Sequence, residues 1–256
     1  STPKPSSAAS DVYKRQVENK GQWAMIFNES VKNDSNPVDK TEKFMFDGER
    51  LIQHIIKQRY FEEEISNEVN LSYSDNQVTV TTDYLTLVYT LNSEGYASQC
   101  VYSLSSQNRI YQFSYSAEGY LTGIVENIDN TEYSSTSLTY ENGDITSISS
   151  KMNGLENKFI YEPGEESSTY HLPCLGLLEI HPLTFHIEAL YAGLLGKDPR
   201  HFTMHSCPAG SNDEKTIYSY EFDKKGNPSR MICQTTYAGG QASYYLYTRN
   251  ISISFE

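Results

Sequence analysis

Short runs in which apolar and polar residues alternate fill most of the sequence from residue 44 onward. A representative stretch, FSYSAEGYLTGI (residues 113–124), places an aromatic run and a second apolar run on either side of a small polar corner. Alternation with a period of two is typical of strands that bury one face, and Gly119 in the corner tolerates the positive φ that tight hairpin turns need. The stretch therefore predicts a β-hairpin.

The same frame recurs at six predicted hairpin corners: Gly48, Asp75-Asn76, Gly95, Gly119, Gly143 and Gly226. Gly95, Gly119 and Gly143 follow one another at intervals of 24 residues, which leaves room for two strands and two turns. Because a single hairpin cannot bury its apolar face, the units must pair edge to edge. We predict an all-β fold, a large curved antiparallel meander that forms a half-barrel or a barrel, to which residues 158–166 and 242–255 add strands.

One segment, residues 172–207, breaks the repeat and has a helical period. Four apolar residues recur at i, i+3, i+4 and i+7 and form one stripe: Ile187, Leu190, Tyr191 and Leu194. Pro182 suits a first helical turn, and Gly196 suits the position just after a helix. We predict one helix over about 182–195 that packs on the sheet as a plug or a cap.

The same insert, together with the residue just before it, collects five of the six histidines and two of the four cysteines: His171, Cys174, His181, His186, His201, His205 and Cys207. Structural zinc sites usually combine paired short spacings, and only His201-x3-His205 has such a spacing. We therefore predict no metal site and no cofactor, and we treat these histidines as loop and core residues. A repeated wall unit is a poor place for unique chemistry, so we expect any functional site to lie near this insert.

The four cysteines are Cys100, Cys174, Cys207 and Cys233, and they allow three full pairings. Cys174 and Cys207 flank the non-repetitive segment, which makes a disulfide bridge between them one hypothesis. Separate buried thiols are the alternative.

Three regions differ in composition. Residues 1–16 are small, polar and basic, and residues 11–16 can be encoded by a transposon adapter used in sequencing libraries, so we expect an artefact or a disordered segment there. Residues 17–43 hold a short apolar patch and then a stretch rich in Asn, Asp and Ser, which favours an N-terminal tail or linker. Residues 44–256 predict a single β domain. A signal peptide or lipoprotein cysteine would have stood upstream of the adapter-like segment.

The chain is acidic, with a formal net charge of −13 and a pI near 4.9. Nucleic-acid binding needs a basic face, so the charge argues against a nucleic-acid partner. No stretch approaches the roughly 20 apolar residues of a membrane-spanning helix. The nucleophile elbow, the phosphate-binding loop, the dinucleotide fingerprint and the zinc-protease motif are absent from the sequence, so we lean against an enzyme and assign no catalytic residue.

The hairpin frames, and above all LYAGLLGKDPRHF (residues 190–202), resemble domain-of-unknown-function family 4595. The likeness covers residues 44–256, and its most specific piece is the Gly193–Lys197 segment. This resemblance implies a porin-like, curved antiparallel β-structure in a secreted protein, often a lipoprotein, of the periplasm or cell surface. It implies no activity and no catalytic residue.

Three functions remain open at this point. The first is a non-enzymatic, secreted or surface-tethered binding or scaffold module for a glycan or a protein, which would touch a membrane only through a lipid anchor. The second is an outer-membrane barrel. The third is a glycan-acting enzyme that uses a carboxylate pair among the 33 acidic residues. We favour the first.

The last strand is the best place to judge the outer-membrane hypothesis. One of its faces carries Arg249 among five apolar or aromatic residues: Tyr245, Tyr247, Ile251, Ile253 and Phe255. A charge in the middle of a lipid-facing band costs up to about 2–4 kcal/mol. The hypothesis therefore requires this face to tolerate a buried arginine.

Overall fold

The computed structural model describes residues 21–32, 38–60, 63–104, 107–167, 177, 180–211, 214–224, 226–239 and 243–256. Within these ranges, antiparallel strands follow one another around a closed barrel, and the first strand pairs with the last. The strands are β1 (Gln22–Lys32), β2 (Val38–Asp47), β3 (Arg50–Tyr60), β4 (Glu63–Tyr73), β5 (Gln77–Thr81), β6 (Thr86–Leu91), β7 (Ala97–Leu104), β8 (Gln107–Tyr115), β9 (Leu121–Ile128), β10 (Thr131–Glu141), β11 (Asp144–Met152), β12 (Leu155–Ser167), β13 (His201–Pro208), β14 (Glu214–Phe222), β15 (Pro228–Gly239) and β16 (Ser243–Phe255). The fold is the barrel of the two predicted forms, not the half-barrel.

The expected linker over 17–43 is wrong, because β1 and the first part of β2 lie within it and help to close the barrel. Met25 and Phe27 of β1 are buried, and Met25 pairs with Phe255 of β16. Glu29 occupies the next inward-facing position of β1. This acidic residue interrupts the alternation of apolar and polar residues by which a strand is recognised in the sequence. Its carboxylate accepts from Arg249 Nε of β16 at 2.5 Å, so the polar residue is part of the closure. The adapter-like residues 1–16 lie outside the described ranges.

All six predicted corners are turns, and the antiparallel order places them at the same end of the barrel, which we call the glycine rim. The five glycines among them adopt positive φ, from 59° at Gly48 to 92° at Gly119. The alternate connections, such as the turns at 129–130 and 153–154, lie at the opposite rim. The six corners of the repeat therefore all lie at one end of the molecule.

The insert replaces the next corner of this rim. A step of 24 residues beyond Gly143 reaches Ser167, the last residue of β12, and β13 begins only at His201. β13 runs over 201–208, so the insert ends earlier than the expected 207.

The end of the insert crosses the glycine rim at three points. The Ala97 amide donates to the Leu194 carbonyl at 2.7 Å, the Lys197 amide to Gly119 at 2.9 Å, and the Arg200 amide to Gly143 at 3.1 Å. Successive hairpins lie two strand spacings apart, roughly 9.6 Å, and three residues of chain span roughly 10 Å. Between residues 194 and 200, every third residue of the insert therefore bonds to one hairpin of the rim. We call residues 194–200 the latch.

The predicted helix over 182–195 is too long. In the part of the insert that is described from residue 180 onward, the structure has a 3-10 turn at Leu183–Phe185 and a short helix, α1 (Ile187–Tyr191). Gly193, with φ 69°, ends α1, and the Leu194 amide bonds back to the Ala189 carbonyl. Such a backward bond across a positive-φ glycine is a common helix ending. The stop comes at Gly193 and not at Gly196, because Gly196 serves the latch.

Gly196 must approach the wall more closely than any side chain allows. A Cβ on this residue would stand 2.7 Å from the Gly119 carbonyl oxygen, and its φ is 91°. Both conditions require glycine.

The barrel interior is apolar and the outer face is polar. In β5, Val78 and Val80 point inward and are buried, whereas Gln77 is exposed on the outer face. The apolar stripe of α1 packs into this interior, where Leu190 and Tyr191 are buried. The insert therefore fills the barrel from within, as a plug.

The face of β16 that the outer-membrane hypothesis would place against lipid also points inward. Ile251 and Ile253 are buried in the core, and Arg249 on the same face pairs with Glu29. The buried arginine is thus neutralised inside the barrel. No helix in the described ranges is long and apolar enough to cross a bilayer.

The cysteines do not form the hypothesised bridge in the described part of the chain. Cys207 is a free thiol on β13, and Cys174 lies outside the described residues. Cys100 and Cys233 are buried in the wall.

Candidate ligand-binding site

An arginine surrounded by aromatic rings lies near the opposite rim. The guanidinium carbon of Arg109 (β8) is 5.5 Å from the ring centre of Tyr102 (β7), 6.0 Å from Tyr133 (β10) and 5.9 Å from Phe185 of the insert. These distances fall within the range of cation–π attraction. With two further residues they form what we call the Arg109 cluster: Tyr102, Arg109, Glu126, Tyr133, His181 and Phe185.

The cluster belongs to the inner face of the wall. Arg109 precedes Tyr111 and Phe113 at steps of two along β8, and both of those side chains are buried inside the barrel. Since side chains alternate between the faces of a strand, Arg109 points to the interior at the end of the strand. The cluster therefore lies at a mouth of the barrel, a common location for ligand sites.

Glu126 organises the cluster from below. Its fully buried carboxylate accepts from Ser134 Oγ at 2.7 Å and Tyr111 OH at 3.2 Å. It also faces His181 Nε2 at 2.6 Å and Arg109 Nη1 at 3.2 Å. Burial alone would raise the pKa of Glu126, but the hydrogen bonds from His181 and Ser134 outweigh burial and hold it below its usual value. Glu126 is therefore ionised and holds both Arg109 and His181 in place.

Two residues of the insert bring exposed surface to the cluster. The Phe185 residue is 38% exposed and the His181 side chain 27%, and their rings stand perpendicular at 5.6 Å. The His181 carbonyl accepts from the Thr136 and Ser150 hydroxyls, each at 3.2 Å. The insert is therefore held in place where it presents these rings.

Arg109 is not fully satisfied. Its Nε is buried and has no hydrogen-bond partner among the residues that the structure describes. The side chain as a whole is 19% exposed and lies beside the exposed rings. The arrangement offers cationic donors, a second imidazole nitrogen and an aromatic surface in one place.

Three histidine–carboxylate pairs fasten the insert and its junction with β13 to the wall. They are His54 with Glu188 at 2.7 Å, His181 with Glu126 at 2.6 Å, and His201 with Asp144 at 2.8 Å. Each pair joins residues far apart in sequence. Together they fix the depth at which the insert sits in the barrel.

The first pair is a buried charge centre. Burial disfavours a charged His54, but the contacts with Glu188 and Glu42 and their negative charges prevail and raise the pKa of His54 above its usual value. The His54 Nε2 lies 3.3 Å from Glu42 Oε1, an ionic contact without hydrogen-bond alignment. The same imidazolium helps to lower the pKa of Glu42 against the effect of its own burial.

His186 is the opposite case. It is fully buried at the start of α1, and its Nδ1 lies 2.7 Å from the Tyr89 hydroxyl. The Tyr111 ring stands at right angles to it, 4.4 Å away. Burial lowers the pKa of His186 to about 3, so its imidazole is neutral at ordinary pH.

The other histidines and cysteines of the insert do not meet. His201 is paired with Asp144, while His205 lies farther along β13 with Glu162 at 3.7 Å. His171 and Cys174 lie outside the described ranges. Within those ranges, no three His, Cys, Asp or Glu side chains are grouped as metal ligands.

A small cavity lies under the latch. It measures about 20 Å³ and is lined by Leu121, Tyr140, Leu190, Leu195 and Gly196, among others. This space holds about one water molecule. It is too small for an organic ligand, so the Arg109 cluster is the better candidate site.

The sequence did not reveal the cluster, because its wall residues come from four different strands. One signal was present: polar residues at inward positions of otherwise apolar faces. Arg109 precedes Tyr111 and Phe113, and Glu126 follows Ile124, all at steps of two. The expectation of a site near the insert stays a prediction, and the cluster is consistent with it through His181 and Phe185.

These features define the class of the protein as a closed, sixteen-stranded antiparallel barrel of porin-like type with a filled interior. The chain belongs to the family described as "Domain of unknown function (DUF4595) with porin-like fold", which matches residues 44–230, and the resemblance seen in the sequence is thus confirmed. It is similar to the crystal structure of a porin-like protein from Bacteroides uniformis ATCC 8492. The TM-score is 0.83 at 25% identity, over 91% of this chain and 97% of that chain. The curated proteins contain no match.

Proposed function

We propose that this protein is a non-enzymatic binding module of the cell envelope, at the periplasm or the cell surface, and that its ligand contacts the Arg109 cluster. The observation that carries the proposal is an incompletely satisfied arginine next to partly exposed aromatic rings at a mouth of the barrel. The latch covers part of the other end. A glycan or a protein segment is the ligand that such a surface suits.

The distribution of polar side chains supports a barrel surrounded by water and not by lipid. In β10, Ser137 and Thr139 are exposed on the outer face, while Thr136 and Leu138 are buried inside. A lipid-facing wall needs an apolar outer band about 25 Å tall. The plug and the apolar core also occupy the space that a pore would need.

A binding screen tests the proposal. The full chain, purified without detergent, is titrated against a panel of oligosaccharides and envelope proteins, and hits are measured by calorimetry. Phe185→Ala should weaken binding of a true ligand about tenfold or more, since a buried aromatic contact carries much of the affinity of such sites. Tyr84→Ala is the matched control, because Tyr84 is an 88% exposed ring on the loop between β5 and β6.

Two results would contradict the proposal. One is a ligand whose affinity is the same for Phe185→Ala and the unaltered protein. The other is a protein that needs detergent to stay monodisperse and conducts ions in planar bilayers, which would favour the outer-membrane barrel.

A further inference from the structure

We infer that the ligand of the Arg109 cluster is a carboxylated sugar, a uronate unit within an oligosaccharide. This inference rests on the proposed function and adds the chemical class of the ligand. It is carried by the combination of a partly exposed arginine, an imidazole and aromatic rings at one mouth of the barrel.

The rings supply the part of the site that recognises a sugar ring. Phe185 and Tyr102 meet edge to face at 6.4 Å, so the two rings present surfaces in different directions. Pyranose rings carry C–H groups on their faces, which pack against aromatic rings while the hydroxyl groups stay in water. An aromatic side chain offers this contact at a low cost in side-chain entropy.

Arg109 supplies the part that distinguishes an acidic sugar from a neutral one. A guanidinium has five N–H donors in a planar fork that matches a carboxylate. Glu126 occupies Nη1 from the buried side at 3.2 Å. A ligand carboxylate that approaches from the exposed side would take up donors that Glu126 does not use.

The charges around the site favour one anionic group and not many. Glu126 balances Arg109, so the pair is neutral, and a ligand carboxylate makes the guanidinium a bridge between two anions. The chain as a whole carries a formal charge of −13, which repels a dense polyanion. Salt screens such long-range repulsion more strongly than a partly buried contact. Affinity for a uronate oligomer should therefore stay level or rise between 20 and 150 mM salt.

The test compares matched oligosaccharides on the full-length protein. Short galacturonate, glucuronate and mannuronate oligomers are titrated by calorimetry next to the same oligomers after chemical reduction of their carboxylates. We expect the acidic form of at least one oligomer to bind about 10- to 100-fold more tightly than its reduced form, the range of a charge-assisted bidentate contact. Arg109→Gln should remove this difference, and Arg109→Lys should restore only part of it.

Arg50→Gln is the matched control, because Arg50 also lies over a tyrosine, Tyr73, at 5.2 Å but on the glycine rim. It should bind the uronate like the unaltered protein. The fluorescence of Trp23, the single tryptophan of the chain, reports whether each variant is folded. If Arg109→Gln does not fold, the comparison of Arg109→Lys with Arg50→Gln decides.

The outcomes separate the two proposals. Equal affinity for acidic and reduced oligomers, lost in Phe185→Ala, overturns the uronate inference and leaves the binding module in place. Binding of an envelope protein through the cluster without any sugar binding does the same. A ligand whose affinity is unaffected by every substitution in the cluster overturns both proposals.

Discussion

His186 is expected to make the fold lose stability as the pH falls below about 6.5. The imidazole is fully buried against Tyr111, Phe113 and the Tyr89 hydroxyl, and burial lowers its pKa to about 3. In the unfolded chain the same group titrates near 6.5. His186→Gln removes the titration and keeps a polar group that can bond to Tyr89.

The sign and the size follow from proton linkage. Above pH 6.5 the group is neutral in both states and its stabilising effect is complete. Below that pH the unfolded chain binds a proton that the folded chain does not, so the free energy of unfolding falls by about 1.4 kcal/mol per pH unit until the folded pKa is reached. Between pH 7.5 and 4.5 the loss amounts to about 2.7 kcal/mol.

Urea unfolding, followed by the fluorescence of Trp23, measures this loss. The free energy of unfolding is determined every half unit from pH 7.5 to 4.5 for the unaltered protein and for His186→Gln. The difference between the two curves should change by about 2.7 kcal/mol over this whole range, whatever its value at pH 7.5. His205→Gln, at a half-buried position on β13, is the control and should follow the unaltered protein. Parallel curves for His186→Gln and the unaltered protein would refute a buried neutral imidazole.

Two further predictions concern the attachment of the insert. His54→Gln and Glu188→Gln should each destabilise the fold by about 3–5 kcal/mol because each leaves a buried partner charge; the double variant should cost clearly less than the sum in urea unfolding, and simple additivity would contradict the pairing. Gly95→Ala and Gly143→Ala both place a side chain at positive φ, which costs about 1–2 kcal/mol, but only a Cβ at 143 would clash with Arg200 Cδ. Thermal unfolding should show the greater loss for Gly143→Ala, and equal losses would argue against the latch contact.

The hairpin repeat was predictable because its signals are local. Each corner needs a backbone conformation that glycine, asparagine or aspartate adopts easily, and that requirement is visible in a few residues. Closure of the barrel was not predictable in this way. It depends on the pairing of β1 with β16, whose residues are far apart in sequence, and Glu29 interrupts the only local sign of β1.

The helix illustrates a different limit. Its apolar stripe was predicted correctly and packs into the core. Its length was overestimated because the segment contains two glycines, Gly193 and Gly196, and either could have marked the end of the helix. Gly193 ends α1. A glycine is needed at 196 for a different reason, the close approach of this residue to the Gly119 carbonyl. That approach is a tertiary contact, so spacing within the segment carries no trace of it.

The arrangement of the insert explains how a barrel of porin-like topology can reverse the usual placement of apolar side chains. Barrels of sixteen strands are wide enough to leave an aqueous channel. Here residues 168–200 take the place of a hairpin turn at the glycine rim. The described part of this segment enters the interior and fills the space of the channel with a hydrophobic core. An apolar interior in turn allows a polar outer face. Because the latch binds the plug to the glycine rim, we expect the ligand to bind at the opposite mouth, where the plug presents His181 and Phe185.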